Sequence, residues 1–297
     1  MEHVLIQRPS DELLVVFSPV HIPKGKFGFS RFFHNELRSV LFFNCDNTWY
    51  VDCIVDMERV VKETIQRLQP KSIVFYGSSM GGYAAARIGG KFPQHPTFVF
   101  GCEVELYTPG SLSQRHATIV DESAHLVSVP DLDFSNTVAL FGVFEPVDLK
   151  QYIAAQRLGF FSCLPVRSPH AVHEELYYRN LVRPLANARS CNEFLAALPS
   201  WFIDPQPPVH HAELFHRCYH GEPQHWTRQD TDFLLSIEHP VAHWCLLRLA
   251  RRNKDAVLLK ACQTNMKTYY QQQQEGFDLP KKFEKMMTTV SHALNVD

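Results

Sequence analysis

The chain has 297 residues, 45% of them hydrophobic and 20% charged, enough for one large domain or two modest ones with a sizeable core. A formal net charge of -2 without a long basic run argues against an electrostatic nucleic-acid binder and leaves small molecules or proteins as partners. Met1 to Ile6 holds no basic region leading into a long apolar run, and no stretch reaches the ~20 apolar residues of a bilayer span. The expectation is a protein with neither signal peptide nor membrane span, cytoplasmic or else exported by a route that does not use such a signal.

From residue 3 to about 185, strand and helix signals alternate. Short runs rich in β-branched and aromatic residues stand at 13–17, 39–43, 72–76, 97–100, 137–141 and 160–164. They are nearly continuous rather than alternating, as in parallel strands covered on both faces. Between them, 51–68 carries an apolar stripe at helical spacing and is stopped by Pro70. Residues 80–92, 149–157 and 172–183 are further helices. This alternation predicts an open, mostly parallel α/β sheet flanked by helices. Residues 102–135 form a long, poorly periodic insertion, a candidate lid. Prolines 199, 205, 207 and 208 mark a linker or irregular loop. Beyond it the chain reads as helical, with 240–250 and 254–269 as a hairpin. The expected domains are therefore 1–185, a catalytic α/β part, and 186–297, a helical C-terminal extension.

The eight cysteines, at 45, 53, 102, 163, 191, 218, 245 and 262, are scattered with no C-x-x-C pair. They read as reduced core residues rather than a zinc or disulfide framework.

Gly77-Ser78-Ser79-Met80-Gly81 fits G-x-S-x-G between an apolar strand and an Ala-rich helix, the setting that gives the motif its meaning. A serine on so tight a turn needs neighbours with almost no side chain, which Gly77 and Gly81 supply. Ser79 is thus the candidate nucleophile, with a helix N-terminus beside it that favours developing negative charge. The Met80 N–H is one candidate oxyanion donor. The second is expected from the loop after strand 13–17, where Pro19 has no N–H and Val20 does.

Through Tyr76-Gly77-Ser78-Ser79-Met80-Gly81-Gly82-Tyr83 and its order of elements, the chain resembles the α/β-hydrolase superfamily over about residues 3–185. The string Gly-x-Ser-Met-Gly-Gly is typical of its esterase-like and thioesterase-like members. The resemblance implies a Ser-acid-His order in which the carboxylate fixes the histidine tautomer. The acid should follow strand 137–141, where the familiar strand-Gly-x-x-Asp-Pro pattern puts Glu145 in the acid register. Asp148 is the alternative acid, or else a first-turn helix charge. The base should follow strand 160–164, in the loop before the next helix, where His170 stands. His173, already inside that helix, is the alternative base. Asp46 and Trp49 lie beyond strand 39–43 and read as a turn residue and a core aromatic rather than pocket residues.

His210, His211, His216, His220 and His225 crowd one stretch, and His216/His220 and His239/His243 share the i, i+4 spacing of some zinc sites. Without His-Glu-x-x-His they read as solvated or interface histidines. No metal and no cofactor is expected. The implied function is hydrolysis of an ester or thioester through a Ser79 acyl-enzyme. The alternatives are acyl transfer by the same groups, or a non-catalytic scaffold whose C-terminal helices bind a protein partner.

Overall fold

A computed structural model describes residues 1–220, 227–272, 285, 288 and 289. Strands β1 (Glu2–Ile6), β2 (Glu12–Phe17), β3 (Ser39–Asn44), β4 (Ser72–Ser78), β5 (Thr97–Phe100), β6 (Thr137–Gly142) and β7 (Ser162–Val166) form one sheet in the order β1-β3-β2-β4-β5-β6-β7. Pairing is parallel from β3 to β6, and β1 runs antiparallel along β3. The helices are α1 (Ser30–Phe33), α2 (Ile54–Leu68), α3 (Met80–Gly89), α4 (Leu112–His116), α5 (Pro146–Ala155), α6 (Val172–Tyr178), α7 (Val182–Ala186), α8 (Cys191–Ala197), α9 (Ala212–His220), α10 (Arg228–Leu235), α11 (Pro240–Asn253) and α12 (Ala256–Gln271). The fold is therefore the mostly parallel α/β sheet with a helical C-terminal extension that the sequence predicts.

The apolar strand runs are covered on both faces. Tyr76 and Phe100 meet His173 of α6, and Phe98 stacks on Phe194 of α8. On the other face Phe75 stacks on Phe92, just past α3. Two elements differ from the sequence expectation. The edge strand β1 was not foreseen, because none of its residues is buried. Strand β7 starts two residues later than expected; Phe161 is left exposed, and Pro165 is tolerated in the strand because β7 is a sheet edge.

The chain places β3 on one side of β2 and then returns to lay β4 on the other. Strand order thus reverses between β2 and β4, and open α/β sheets bind ligands beyond the carboxyl ends of the strands at such a reversal.

Two compact units interleave along the chain. The first comprises Met1–Phe141, Gln151–Leu164 and Ala171–Pro199; the second comprises Gly142–Lys150, Pro165–His170 and Ser200–Asp297. The sequence-read boundary at 185/186 falls inside the last segment of the first unit. In the first unit, 102–135 is stitched down rather than loose. Gln151 accepts the Val104 and Glu105 amides, at 2.8 and 3.0 Å, and donates to the Glu105 carbonyl at 2.9 Å. The Glu103 carboxylate accepts the Leu112 and Ser113 amides at the start of α4, and Val104, Leu106 and Leu126 are buried. In the second unit, α9, α10 and α12 each pack on α11. The proline-rich stretch there is not a free linker: Ile203 bridges Val166.

Candidate active site

The first unit carries Ser79. It is the N-cap of α3 with φ 55° and ψ -125°, outside the regions an L-residue prefers, at a cost of about 1–3 kcal/mol. The surroundings enforce this. The Ser79 N–H donates to the Phe100 carbonyl at 2.8 Å, and its own carbonyl accepts the Tyr83 N–H at 3.1 Å, closing the first turn of α3. A Cβ at Gly77 would overlap the Gly81 carbonyl oxygen, and one at Gly81 would overlap that of Phe17. Glycine is required at both positions by backbone approach. The result is a strand-turn-helix elbow at the centre of the sheet, beside the strand-order reversal.

Met80, as the first residue of α3, has no intrahelical acceptor for its N–H. Its side chain is fully buried against the Cys45 sulfur. The loop after β2 lies against the elbow, since Phe17 pairs with Gly77 in register and the carbonyls of Phe17 and Ser18 crowd Gly81. The Val20 N–H in this loop donates to no acceptor among the described residues. Ser18 fixes the loop. Its hydroxyl donates to the Phe43 carbonyl at 2.7 Å and accepts the Gly28 amide at 2.9 Å, and the buried Tyr50 hydroxyl stands 3.1 Å from the Ser18 carbonyl. Neither Ser18 nor Tyr50 was singled out from sequence; a polar residue between an apolar strand and Pro19 was the available signal. Trp49 is a fully buried core residue and Asp46 is exposed, as the sequence reading has them.

The second unit carries both acid candidates and His170. Two segments, Gly142–Lys150 and Pro165–His170, are clamped together. A Cβ at Gly142 would overlap the Pro169 carbonyl oxygen, and the Val143 and Phe144 amides donate to Val166 and Ser168 carbonyls at 3.2 and 3.1 Å. This brings His170 Nδ1 to 2.7 Å from Asp148 Oδ1, with Asp148 2% exposed. A carboxylate only accepts, so Nδ1 carries a proton, and in the neutral ring the lone pair is on Nε2.

Glu145 is placed differently from its expected role. The motif register gave it the imidazole, but Asp148 holds the ring, and Glu145 Oε2 instead accepts the backbone N–H of His170 at 3.3 Å. The physical reason is where α5 begins. Pro146 starts the helix directly after Glu145, so Asp148 occupies its first turn, beside the His170 loop.

His173, the alternative base, belongs to the first unit and is 6% exposed among Phe29, Phe32, Tyr76 and Phe100. Burial, reinforced by the Arg31 charge, pushes its pKa down to about 3, and its Nε2 meets no hydrogen-bond partner among the described residues. It is a core imidazole held neutral.

Among the described residues, no three His, Cys, Asp or Glu side chains converge as a metal site. The His216 and His220 rings lie 4.8 Å apart on α9, whereas His239 pairs with Asp204 and His243 is buried. His225 lies outside the described residues. The cysteines are free thiols, all buried except the half-buried Cys163. No described helix is long and apolar enough to cross a membrane.

No family model matches the chain, and no curated protein matches it. Among solved structures it is similar to the capsule O-acetyltransferase of Neisseria meningitidis serogroup A, at 14% identity over 63% of this chain and 90% of that one, with a TM-score of 0.49. It is similar also to a chain of the Glycosylation Associate Protein (Gap123) complex of Streptococcus agalactiae, at 17% identity over 62% and 43%, TM-score 0.41. A third is MGS-MChE2, an α/β hydrolase enzyme from a lagoon-sediment metagenome of Mar Chica, Morocco, at 14% identity over 60% and 95%, TM-score 0.33. These are likenesses at low identity, and they assign no activity to this chain.

Proposed function

We propose that this protein is a serine hydrolase that cleaves an ester or thioester through an acyl-enzyme on Ser79, with His170 as base and Asp148 as the orienting acid. The observation that carries the reading is the backbone of Ser79, whose strained φ and ψ present a hydroxyl at the N-terminus of α3. The His170–Asp148 pair supports it, because it leaves Nε2 as the only basic ring nitrogen.

In this mechanism Nε2 takes the Ser79 proton as Oγ bonds to the acyl carbon. The Met80 and Val20 N–H groups hold the oxyanion of the tetrahedral intermediate. The imidazolium, stabilised by Asp148, returns the proton to the departing alkoxide or thiolate. Water then gives a proton to Nε2 as it attacks the acyl carbon, and the imidazolium returns that proton to Oγ as the C–O bond to Ser79 breaks, freeing the acid and regenerating the serine. The order of the chain's elements, taken with the α/β-hydrolase resemblance, supports the second oxyanion donor and the base, and the Val20 amide meets no acceptor among the described residues.

A fluorophosphonate probe tests this directly. The wild type should label on Ser79, and Ser79→Ala and His170→Ala should not. Equal labelling of Ser79→Ala, or none of the wild type, overturns the assignment. Acyl transfer to a sugar, lipid or peptide uses the same groups; product analysis with candidate acceptors distinguishes it from hydrolysis by whether water is the sole acceptor.

A further inference from the structure

Behind His170 the second unit builds a continuous polar chain that the triad chemistry does not use. Arg248 of α11 lies over the ring of Tyr219 on α9, its guanidinium carbon 4.1 Å from the centroid, and its Nη1 donates to Tyr219 Oη at 3.2 Å. The Tyr219 hydroxyl faces Glu145 Oε1 at 3.5 Å, and Glu145 Oε2 accepts the His170 N–H. Tyr219 and Glu145 are both buried, so the bond between them forms away from water and costs more to leave unmade than an exposed one.

Other contacts tie the same two loops to the same helical region. The Arg167 N–H donates to the Phe202 carbonyl at 2.8 Å and the Asp204 N–H to the Pro165 carbonyl at 2.9 Å, flanking the Val166–Ile203 bridge. His239 Nε2 stands 2.8 Å from Asp204 Oδ2, while its Nδ1 accepts the Val241 N–H, which fixes the Nε2–H tautomer. Burial works to raise the Asp204 pKa, but the hydrogen bonds from His239 and the Gln206 amide, with the Arg167 charge, outweigh it and hold the carboxyl below its usual range. The His239 ring meets Phe144 edge-on at 5.6 Å, and Lys150 pairs with Glu213 at 3.2 Å.

We propose that Glu145, Tyr219 and Arg248 are positioning residues for the general base, and that the C-terminal helices are therefore a working part of the acid–base apparatus. This inference rests on the reading of Ser79 and His170 as nucleophile and base. A carboxylate suits the Glu145 position because its two oxygens serve two donors at once, the His170 amide and the Tyr219 hydroxyl. An amide at this position would offer one acceptor oxygen for both. The Arg248 guanidinium orients the Tyr219 hydroxyl by donating to it, leaving that hydroxyl's own hydrogen for Glu145.

The test is a double-mutant cycle on the full chain with Glu145→Gln and Tyr219→Phe, the latter keeping its ring beneath Arg248. The first readout is the second-order rate of Ser79 labelling by the fluorophosphonate. The second is backbone amide exchange of the peptide bearing His170, which needs no reaction. Each single variant is expected to slow labelling about tenfold. The double variant should be no slower than the slower single, because both act through one contact. Exchange at the His170 peptide should quicken in all three. Wild-type labelling rates in both singles, multiplicative losses in the double, or unchanged exchange would each overturn the proposal. Failure of the underlying reading looks different: wild type and Ser79→Ala then react alike with the probe. The exchange readout still decides the brace in that case, for or against.

Discussion

His173 gives the protein a calculable acid sensitivity. Its ring is 6% exposed inside an aromatic cage and its pKa is pushed down to about 3. An unfolded histidine titrates near 6.5, so between these values the unfolded chain takes up a proton that the native chain refuses. Stability is therefore fully present above pH 6.5 and is lost as pH falls towards 3. Between pH 8 and pH 5 the loss from this one group is roughly 2 kcal/mol, taking the two pKa values through the linkage relation. The perturbation is His173→Phe, which keeps an aromatic ring among Phe29, Tyr76 and Phe100 and removes the titration. A packing offset from the substitution is independent of pH and drops out of the comparison. His243 also drops out, since burial holds its pKa down to about 4 in both proteins alike. Urea midpoints at pH 8 and pH 5 measure the effect. The wild type should lose about 0.7–1 M more in midpoint than the variant, for a slope of 2–3 kcal/mol/M. Parallel losses in the two proteins would refute the reasoning.

Asp148→Asn should slow Ser79 labelling about a thousandfold or more by freeing the wrong His170 tautomer, far beyond the effect of Glu145→Gln; equal effects would return Glu145 to the acid role. Gly81→Ala should lower stability by about 2–4 kcal/mol, since the new methyl overlaps the Phe17 carbonyl and the backbone on both sides must shift; thermal unfolding reads this directly. Gln151→Leu should leave the buried Val104 amide without an acceptor and render 102–135 susceptible to limited proteolysis, whereas an uncut loop would show that the amide does not hold it.

Much of the fold was legible because both faces of the central strands are covered, so β2 to β6 read as uninterrupted apolar runs. The edges were less so. In β1 no residue is buried, and hydrophobic patterning has nothing to report there. The Ser79 elbow was legible because its glycines answer a local steric demand. The acid was not, because its identity depends on which carboxylate turns towards His170 once α5 has started at Pro146, a matter of helix phase rather than motif register. Glu145 and Tyr219 lie 74 residues apart in sequence, so no local pattern could have joined them.

The interleaving of the two compact units also has a consequence for synthesis. Chains emerge N-terminus first, and the strand and turn that carry Ser79 are made before the loops of the second unit. The loops bearing Asp148 and His170 follow, but the helices in their compact unit are made only after residue 200. A nascent chain halted before Tyr219 would hold an armed turn with an unbraced base.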